Sequence, residues 1–154
     1  MKIDIDEVRT FIFEQSAETK IYIGADSERV KAHGKWMIDY MLVVVVHING
    51  KNGCRVFGEV QREGDIAWDQ KGRPRMRLMN EVYKVSELYL RLADVLEDRN
   101  VEIHLDINRN DMYGSSCVVQ EAIGYVKATC NLTPMVKPMA FASSYAADRL
   151  KEIT

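Results

Sequence analysis

Four consecutive valines, Val43 to Val46, constrain the fold of this chain more than any other feature of its sequence. They lie within Trp36–Ile48, an apolar segment rich in β-branched and aromatic residues. A strand with one face in solvent would alternate between apolar and polar residues, whereas a run of this kind predicts burial on both faces. The segment is therefore expected to be a central strand of its sheet.

Two further strands are predicted on either side of this valine-rich segment. Lys20–Ile23 is β-branched and aromatic, and it is expected to end at Gly24, before the polar stretch Ser27–Lys35 with its turn residue Gly34. On the other side, the turn cluster Asn49–Gly53 leads into Cys54–Gln61, which alternates like the returning partner of a hairpin. The three strands are expected to form an antiparallel meander.

The remaining segments alternate between helical and extended patterns, read from apolar spacing, turn residues and Pro74 at a helix start. The predicted elements are a short N-terminal helix over Asp4–Gln15, a helix from Pro74 to about Asp98, a strand over Val101–Ile107, a helix over about Ser115–Thr129 broken near Gly124, a short strand within Asn131–Pro138 and a terminal helix over about Ser143–Glu152. Three antiparallel strands followed by two parallel strands reached through helical crossovers favour a ribonuclease H-like α/β fold. The expected sheet is thus five-stranded and mixed, with helices flanking it.

Composition and charge limit the function classes. The 154 residues contain no Gly-, Ser- or Pro-rich linker, so a single domain over residues 1–154 is expected. A net charge of -2 argues against non-specific coating of nucleic acid, although a local basic patch stays open. Three cysteines without metal-ligand spacing, an acidic N-terminal segment and short apolar runs predict a cytoplasmic protein with no membrane contact.

Acidic residues stand at the ends of two predicted strands. Asp26 follows Gly24, and Asp106 ends the apolar strand Val101–Ile107. In the proposed fold the first and fourth strands are neighbours, so these carboxylates should lie side by side at the carboxyl edge of the sheet. Two such charges repel unless a divalent cation lies between them, and oxygen ligands suit Mg²⁺ or Mn²⁺. The alternative for Asp26 is a turn-capping role at the strand end.

Two helices supply further candidate ligands. Glu81 lies on the inward flank of the long helix, at helical spacing from Leu78 and Val85, and Asp148 lies among alanines of the terminal helix. Glu81 could instead accept a hydrogen bond from a neighbouring strand, with Glu59 as a weaker substitute ligand. Asp148 could instead be a surface acid paired with a neighbouring lysine.

Basic residues concentrate at the start of the long helix. Arg73, Arg75 and Arg77 combine guanidinium groups with the free backbone N–H groups of a helix start, an arrangement suited to phosphate. They are predicted to track a phosphate backbone toward the carboxylates. A second basic group is formed by Arg29, Lys31, His33 and Lys35. Charge runs of both kinds are more often solvated surface.

Several segments together resemble the YkuK-like family of ribonuclease H-like proteins. They are IYIGADS at Ile21–Ser27, the valine-rich strand, NGCRVF at Asn52–Phe57, HLDIN at His104–Asn108, EAIGYV at Glu121–Val126 and the stretch from Lys137-Pro138 through Ala147-Asp148-Arg149. The resemblance covers nearly the whole chain. It implies the ribonuclease H-like fold and a nuclease function.

The resemblance also implies which residues form the site. The superfamily places acids after the first strand, in the first long helix, after the fourth strand and in the last helix. These positions match Asp26, Glu81, Asp106 and Asp148. Further substrate-binding residues are predicted within the resembling motifs and just beside the acids, namely Ser27, Asn108 and Lys137.

The expected function is a metal-dependent nuclease that hydrolyses RNA or DNA with two Mg²⁺ or Mn²⁺ ions. The alternative is a ribonuclease H-like module that binds nucleic acid or protein without catalysis. Nucleotide phosphotransfer is disfavoured, because Ser27 rather than glycine follows Asp26 and no phosphate-binding glycine loop is found. Nucleic acid is thus the expected partner, and a homo-oligomer is left open.

Overall fold

The computed structural model describes residues 2–50, 53–65, 73–108 and 116–137. Its elements are α1 (Ile5–Phe13), β1 (Lys20–Ala32), β2 (Lys35–His47), a short 3₁₀ turn (Ile48–Gly50), β3 (Cys54–Gly64), α2 (Arg73–Leu96), β4 (Asn100–Asn108), α3 (Ser116–Cys130) and β5 (Met135–Lys137). The predicted terminal helix over Ser143–Glu152 lies outside the described residues.

The strands form one sheet in the order β3-β2-β1-β4-β5. β1 pairs antiparallel with β2 and parallel with β4, and β5 extends the parallel half. This arrangement confirms the predicted five-stranded mixed sheet, including the contact between the first and fourth strands. The middle strand is β1, while the valine-rich β2 is its inner neighbour.

The valine run is buried on both faces of the sheet, as predicted. Val44 and Val46 belong to the larger core cluster beneath the helices. Val43 and Val45 lie in a second buried cluster on the opposite face, together with Tyr22 and other residues. Because neither face of β2 meets solvent here, each of the four valines contributes roughly 1.5–3 kcal/mol through burial.

The long helix α2 packs on the larger cluster and orients the site. The helical spacing of Leu78 and Val85 continues as an apolar stripe along the helix: the buried members are Val82, Val85, Leu92 and Leu96, and Leu78 and Tyr89 pack against them half-buried. The short helix α1 begins at Asp4, whose carboxylate accepts hydrogen bonds from two backbone N–H groups of the first turn. Val8 and Ile12 are fully buried, so α1 braces the same core.

Two predicted strand ends were wrong. β1 does not end at Gly24 but continues to Ala32, because every residue of β1 finds a partner on β2. The return is made at His33 and Gly34, which both have positive φ and thus match the twist of the flanking strands. For the same reason of continued pairing, β3 runs to Gly64 instead of Gln61.

The predicted break near Gly124 is also wrong, since the helix α3 runs without interruption from Ser116 to Cys130. Gly124 lies on the exposed side of α3, and the buried neighbours Ala122, Ile123 and Val126 hold that turn against the core. Tertiary packing outweighs the roughly 0.5–1 kcal/mol that a glycine costs inside a helix. No helix in the described ranges is long and apolar enough to cross a membrane.

Candidate active site

The two aspartates that were predicted at strand ends come together through the register of β1 and β4. The parallel pairing ends with Ala25 opposite Leu105, and the next residue on each strand is an aspartate, Asp26 on β1 and Asp106 on β4. Both strands run in the same direction, so the two side chains follow at equivalent positions of neighbouring strands. This edge is where ligands bind in open α/β sheets.

Asp26 is half-buried, and part of its hydrogen-bonding capacity is used locally. Its Oδ1 accepts a hydrogen bond from the backbone N–H of Ser27 at 2.8 Å. The alternative of a turn cap at a strand end was wrong, because β1 continues through Asp26 and Ser27 to Ala32. The contact engages one carboxylate oxygen and leaves the charge of the group in place. The bond therefore orients Asp26 at the strand edge without neutralising it.

Glu81 faces the sheet from the third turn of α2. The residue is 7% exposed, and its Oε2 accepts a hydrogen bond from the hydroxyl of Ser27 at 3.1 Å. The next residue, Val82, is fully buried in the larger core cluster and holds this part of α2 against β1. The predicted inward orientation is confirmed, and so is a bond from a neighbouring strand, which was the alternative role. Ser27, predicted to bind substrate, here contacts a candidate ligand.

The electrostatics of Glu81 link it to both aspartates. Burial raises the pKa of its carboxyl group to about 8, with the charge of Asp26 as the next cause and that of Asp106 as a smaller one. The hydrogen bond from Ser27 and the charge of Arg77 act in the opposite direction. Both aspartates thus disfavour the ionised form of Glu81, and at neutral pH its carboxyl is largely protonated. A cation beside Glu81 would favour the ionised form of its carboxyl group, whereas a second anion would disfavour it.

Tyr40 and Asn80 lie beside Glu81, and the sequence did not indicate them. Tyr40 is opposite Ser27 in the β1–β2 register, and its hydroxyl oxygen accepts a hydrogen bond from the Asn80 side chain at 3.2 Å. Burial raises the pKa of Tyr40, so it stays neutral at physiological pH. The signal that could have found it is the hairpin register, which puts Tyr40 and Ser27 on one face.

The arginines of the α2 start differ from one another in their surroundings. Arg75 is exposed and binds Glu121 on α3, with Nη2 at 2.6 Å from both carboxylate oxygens. Arg77 is half-buried on the same flank as Glu81, whose pKa its charge lowers. The structure describes the backbone of Arg73 but not its side chain. Phosphate tracking by these residues stays a prediction.

The other candidates lie apart or outside the described residues. Glu59 accepts a hydrogen bond from the backbone N–H of Ile3 at 3.0 Å and so ties β3 to the chain before α1. This role makes it no substitute for Glu81. Asn108 and Lys137 end β4 and β5 near the same sheet edge, and only their backbones are described. Asp148 lies outside the described residues.

The donor set fits a hard divalent cation in its chemistry, because every candidate ligand offers carboxylate oxygen. Within residues 2–50, 53–65, 73–108 and 116–137, however, no three Asp, Glu, His or Cys side chains are grouped closely enough to hold a metal ion. The geometry therefore brings Asp26, Asp106 and Glu81 into one electrostatic neighbourhood, and this neighbourhood falls short of a formed metal centre.

A mixed sheet in this order, with carboxylates where the parallel pairing of its central strands ends, defines the ribonuclease H-like class of α/β domains. Residues 4–152 match the family described as Ribonuclease H-like, and the chain belongs to this family. Membership indicates a nuclease or nucleic-acid-binding function. No curated protein and no solved structure matches the chain.

Proposed function

We propose that this protein is a metal-dependent nuclease of the YkuK-like branch, a single domain over residues 1–154 that hydrolyses phosphodiester bonds of RNA or DNA. The observation that carries the proposal is the buried carboxyl of Glu81, whose pKa is raised by burial and by the charges of Asp26 and Asp106. A buried acid whose ionised form is disfavoured by two neighbouring acids is explained by a need to bind cations.

In this proposal Asp26, Asp106 and Glu81 hold two Mg²⁺ or Mn²⁺ ions, with Asp148 as the predicted fourth ligand. When bound, such ions supply an activated water and stabilise the negative charge on the leaving oxygen. The protein's own residues keep the carboxylates in place: Ser27 bonds Glu81 through its hydroxyl and Asp26 through its backbone N–H. Ser27 is thus proposed to position two ligands at once.

The raised pKa of Glu81 has a consequence for cation binding. A carboxyl group that is protonated at pH 7 must release its proton before both oxygens can act as ligands. Divalent-ion binding is therefore expected to release protons below pH 8 and to tighten as pH rises toward that value. Arg77 assists by stabilising the ionised form of Glu81.

Substrate phosphates are proposed to approach along the start of α2. Arg77 lies nearest to the acids, and Arg73, Asn108 and Lys137 belong to segments that begin or end near this edge. Arg75 would have to exchange Glu121 for a phosphate, which costs little because exposed ion pairs contribute about 0–1 kcal/mol. Cationic contacts are needed here because the protein is acidic overall.

The decisive experiment compares labelled RNA, DNA and hybrid substrates in Mn²⁺ with two aspartate-to-asparagine variants. Asp106→Asn removes a proposed ligand, while Asp94→Asn removes an exposed carboxylate that pairs with Arg9 far along α2. Cleavage is expected to fall by at least about 10³-fold in the first variant only, since metal ions stabilise charge by several kcal/mol. Equal cleavage by wild type and Asp106→Asn would overturn the assignment.

A nucleic-acid-binding module without catalysis is the second candidate. It is favoured by the bonds that already occupy the acids, from Ser27 to Asp26 and to Glu81. Titration calorimetry with Mn²⁺ separates the two candidates. Tight binding that Asp26→Asn abolishes supports the nuclease, whereas oligonucleotide binding that is indifferent to the metal supports the module.

A further inference from the structure

Beyond Asp26, β1 and β2 continue together as an outer hairpin, formed by Ser27–Ala32 and Lys35–Tyr40. The parallel pairing of β1 with β4 reaches no further than Ala25, whereas its pairing with β2 continues to the turn. The outer hairpin therefore projects from the candidate site at the carboxyl edge of the sheet. It contains the second basic group of the sequence.

One face of the outer hairpin continues the face on which Ser27 contacts Glu81. The register places Ser27 opposite Tyr40 and Lys31 opposite Trp36, and residues directly opposite share a face. Since side chains alternate along a strand, Arg29 lies on this face as well. Ser27 and Lys31 are four positions apart along β1, a distance of about 13–14 Å at 3.3–3.4 Å per residue.

Trp36 is an exposed aromatic side chain within a cationic environment. It keeps 40% of its surface accessible, while the Arg29 guanidinium carbon lies 4.0 Å from its ring centroid and Lys31 Nζ lies 5.7 Å away. Arg29 Nε donates at 2.8 Å to the buried carboxylate of Asp65, whose own N–H donates to the carbonyl of Trp36. The ring is thus held in place before any ligand arrives.

Among the described residues of this face, Lys31 is the cation left without an ion-pair partner. Asp65 neutralises Arg29, and Glu63 is paired with Lys84. Lys31 is exposed and has no carboxylate within ion-pair distance among the described residues. The acids Glu28 and Asp39 belong to the opposite face, where Asp39 binds Arg62.

We propose that Trp36 and Lys31 form a platform for single-stranded nucleic acid, with one base stacked on the indole and a neighbouring phosphate on the ammonium group. The identity of the ligand rests on the proposed function. A single strand is specified because a duplex hides its base faces, whereas stacking on aromatic residues needs an accessible face. Lys31 lies about 13–14 Å along β1 from Ser27, which contacts Glu81, so the platform would engage the strand a short distance from this acid.

The test measures binding of a labelled ten-nucleotide strand by anisotropy in EDTA, and then cleavage in Mn²⁺. Trp36→Ala is expected to bind about 5- to 100-fold more weakly, while Trp36→Phe keeps most of the affinity. Lys31→Ala is expected to lower the slope of log K against log salt by about 0.7. Lys35→Ala is the matched control, because this exposed lysine lies one residue from Trp36 on the opposite face and should bind like wild type.

The outcomes separate this inference from the nuclease proposal. Unchanged single-strand affinity in a folded Trp36→Ala protein overturns the platform, even if the wild type cleaves. Equal losses on single strands and on duplex of the same sequence also overturn it. If Trp36→Ala does not fold, an unchanged slope of log K against log salt in Lys31→Ala overturns the platform instead. A protein that binds through Trp36 but never cleaves overturns the nuclease alone, and one that binds no nucleic acid overturns both.

Discussion

The two halves of β1 show how one strand can serve both the core and the site. The inner half, Lys20–Ala25, lies between β2 and β4 and is almost wholly buried. The outer half, Ser27–Ala32, keeps β2 as its partner and becomes largely accessible. Asp26 stands at the junction. The difference teaches that an acid is tolerated where the parallel pairing stops, because water and cations can reach it there while the inner half still anchors it.

The largest expected effect breaks the junction itself. Asp26→Asn removes one negative charge where the two halves meet, and cleavage is expected to fall by at least about 10³-fold. Loss of calorimetric Mn²⁺ binding should accompany it. Asp39→Asn is the control, since Asp39 lies on the outer hairpin and is paired with Arg62. If both variants cleave alike, the junction has no special role.

The second prediction compares the halves by stability. Ile23→Ala truncates a fully buried side chain of the inner half and should lower the free energy of unfolding by about 2–5 kcal/mol. Val30→Ala, in the outer half, removes a half-buried side chain and should cost less than about 1.5 kcal/mol. Urea denaturation measures both. Similar losses would show that the outer half is packed as firmly as the inner one.

The third prediction concerns the buried acid beside the junction. Burial raises the pKa of Glu81 to about 8, above the ordinary value of 4.5. Because the folded state favours the protonated form, the stabilisation it brings is complete at acid pH and is lost as pH rises from about 4.5 to 8.

Glu81→Gln stays neutral and should therefore be more stable than wild type at pH 9, by up to about 5 kcal/mol, and equal to it near pH 4. The comparison is made by thermal unfolding in EDTA. Parallel pH profiles of the two proteins would contradict the shift. In Mn²⁺ the same variant should cleave poorly if Glu81 is a metal ligand. Normal cleavage would indicate that Glu81 only packs against the sheet.

The smallest effect is expected on the exposed flank of α2. Arg75→Ala breaks the ion pair with Glu121 and should change stability by no more than about 1 kcal/mol, less in high salt. Its effect on oligonucleotide binding sharpens the comparison, because Arg75 pairs with Glu121 on α3 and not with the outer hairpin. A reduced salt slope would support the prediction that the α2 start tracks phosphate, and an unchanged slope would contradict it.

Local patterns in the sequence were enough to predict much of the fold. The valine run predicted a strand buried on both faces, and helical spacing predicted the α2 stripe, because burial imposes a period that each segment displays by itself. The neighbouring positions of Asp26 and Asp106 also followed, since strand ends and crossover topology suffice to predict them. The parallel register then determined that the two residues stand level.

Other features depended on contacts between segments far apart in the chain. The length of β1 was decided by β2, which supplies a partner for every polar residue up to Ala32. The bond from Ser27 to Glu81 spans 54 positions, and the Arg29–Asp65 pair that supports Trp36 spans 36. Periodicity states which residues are buried, but a hydrogen bond or an ion pair also needs register and helix docking, which exist only when the sheet has assembled.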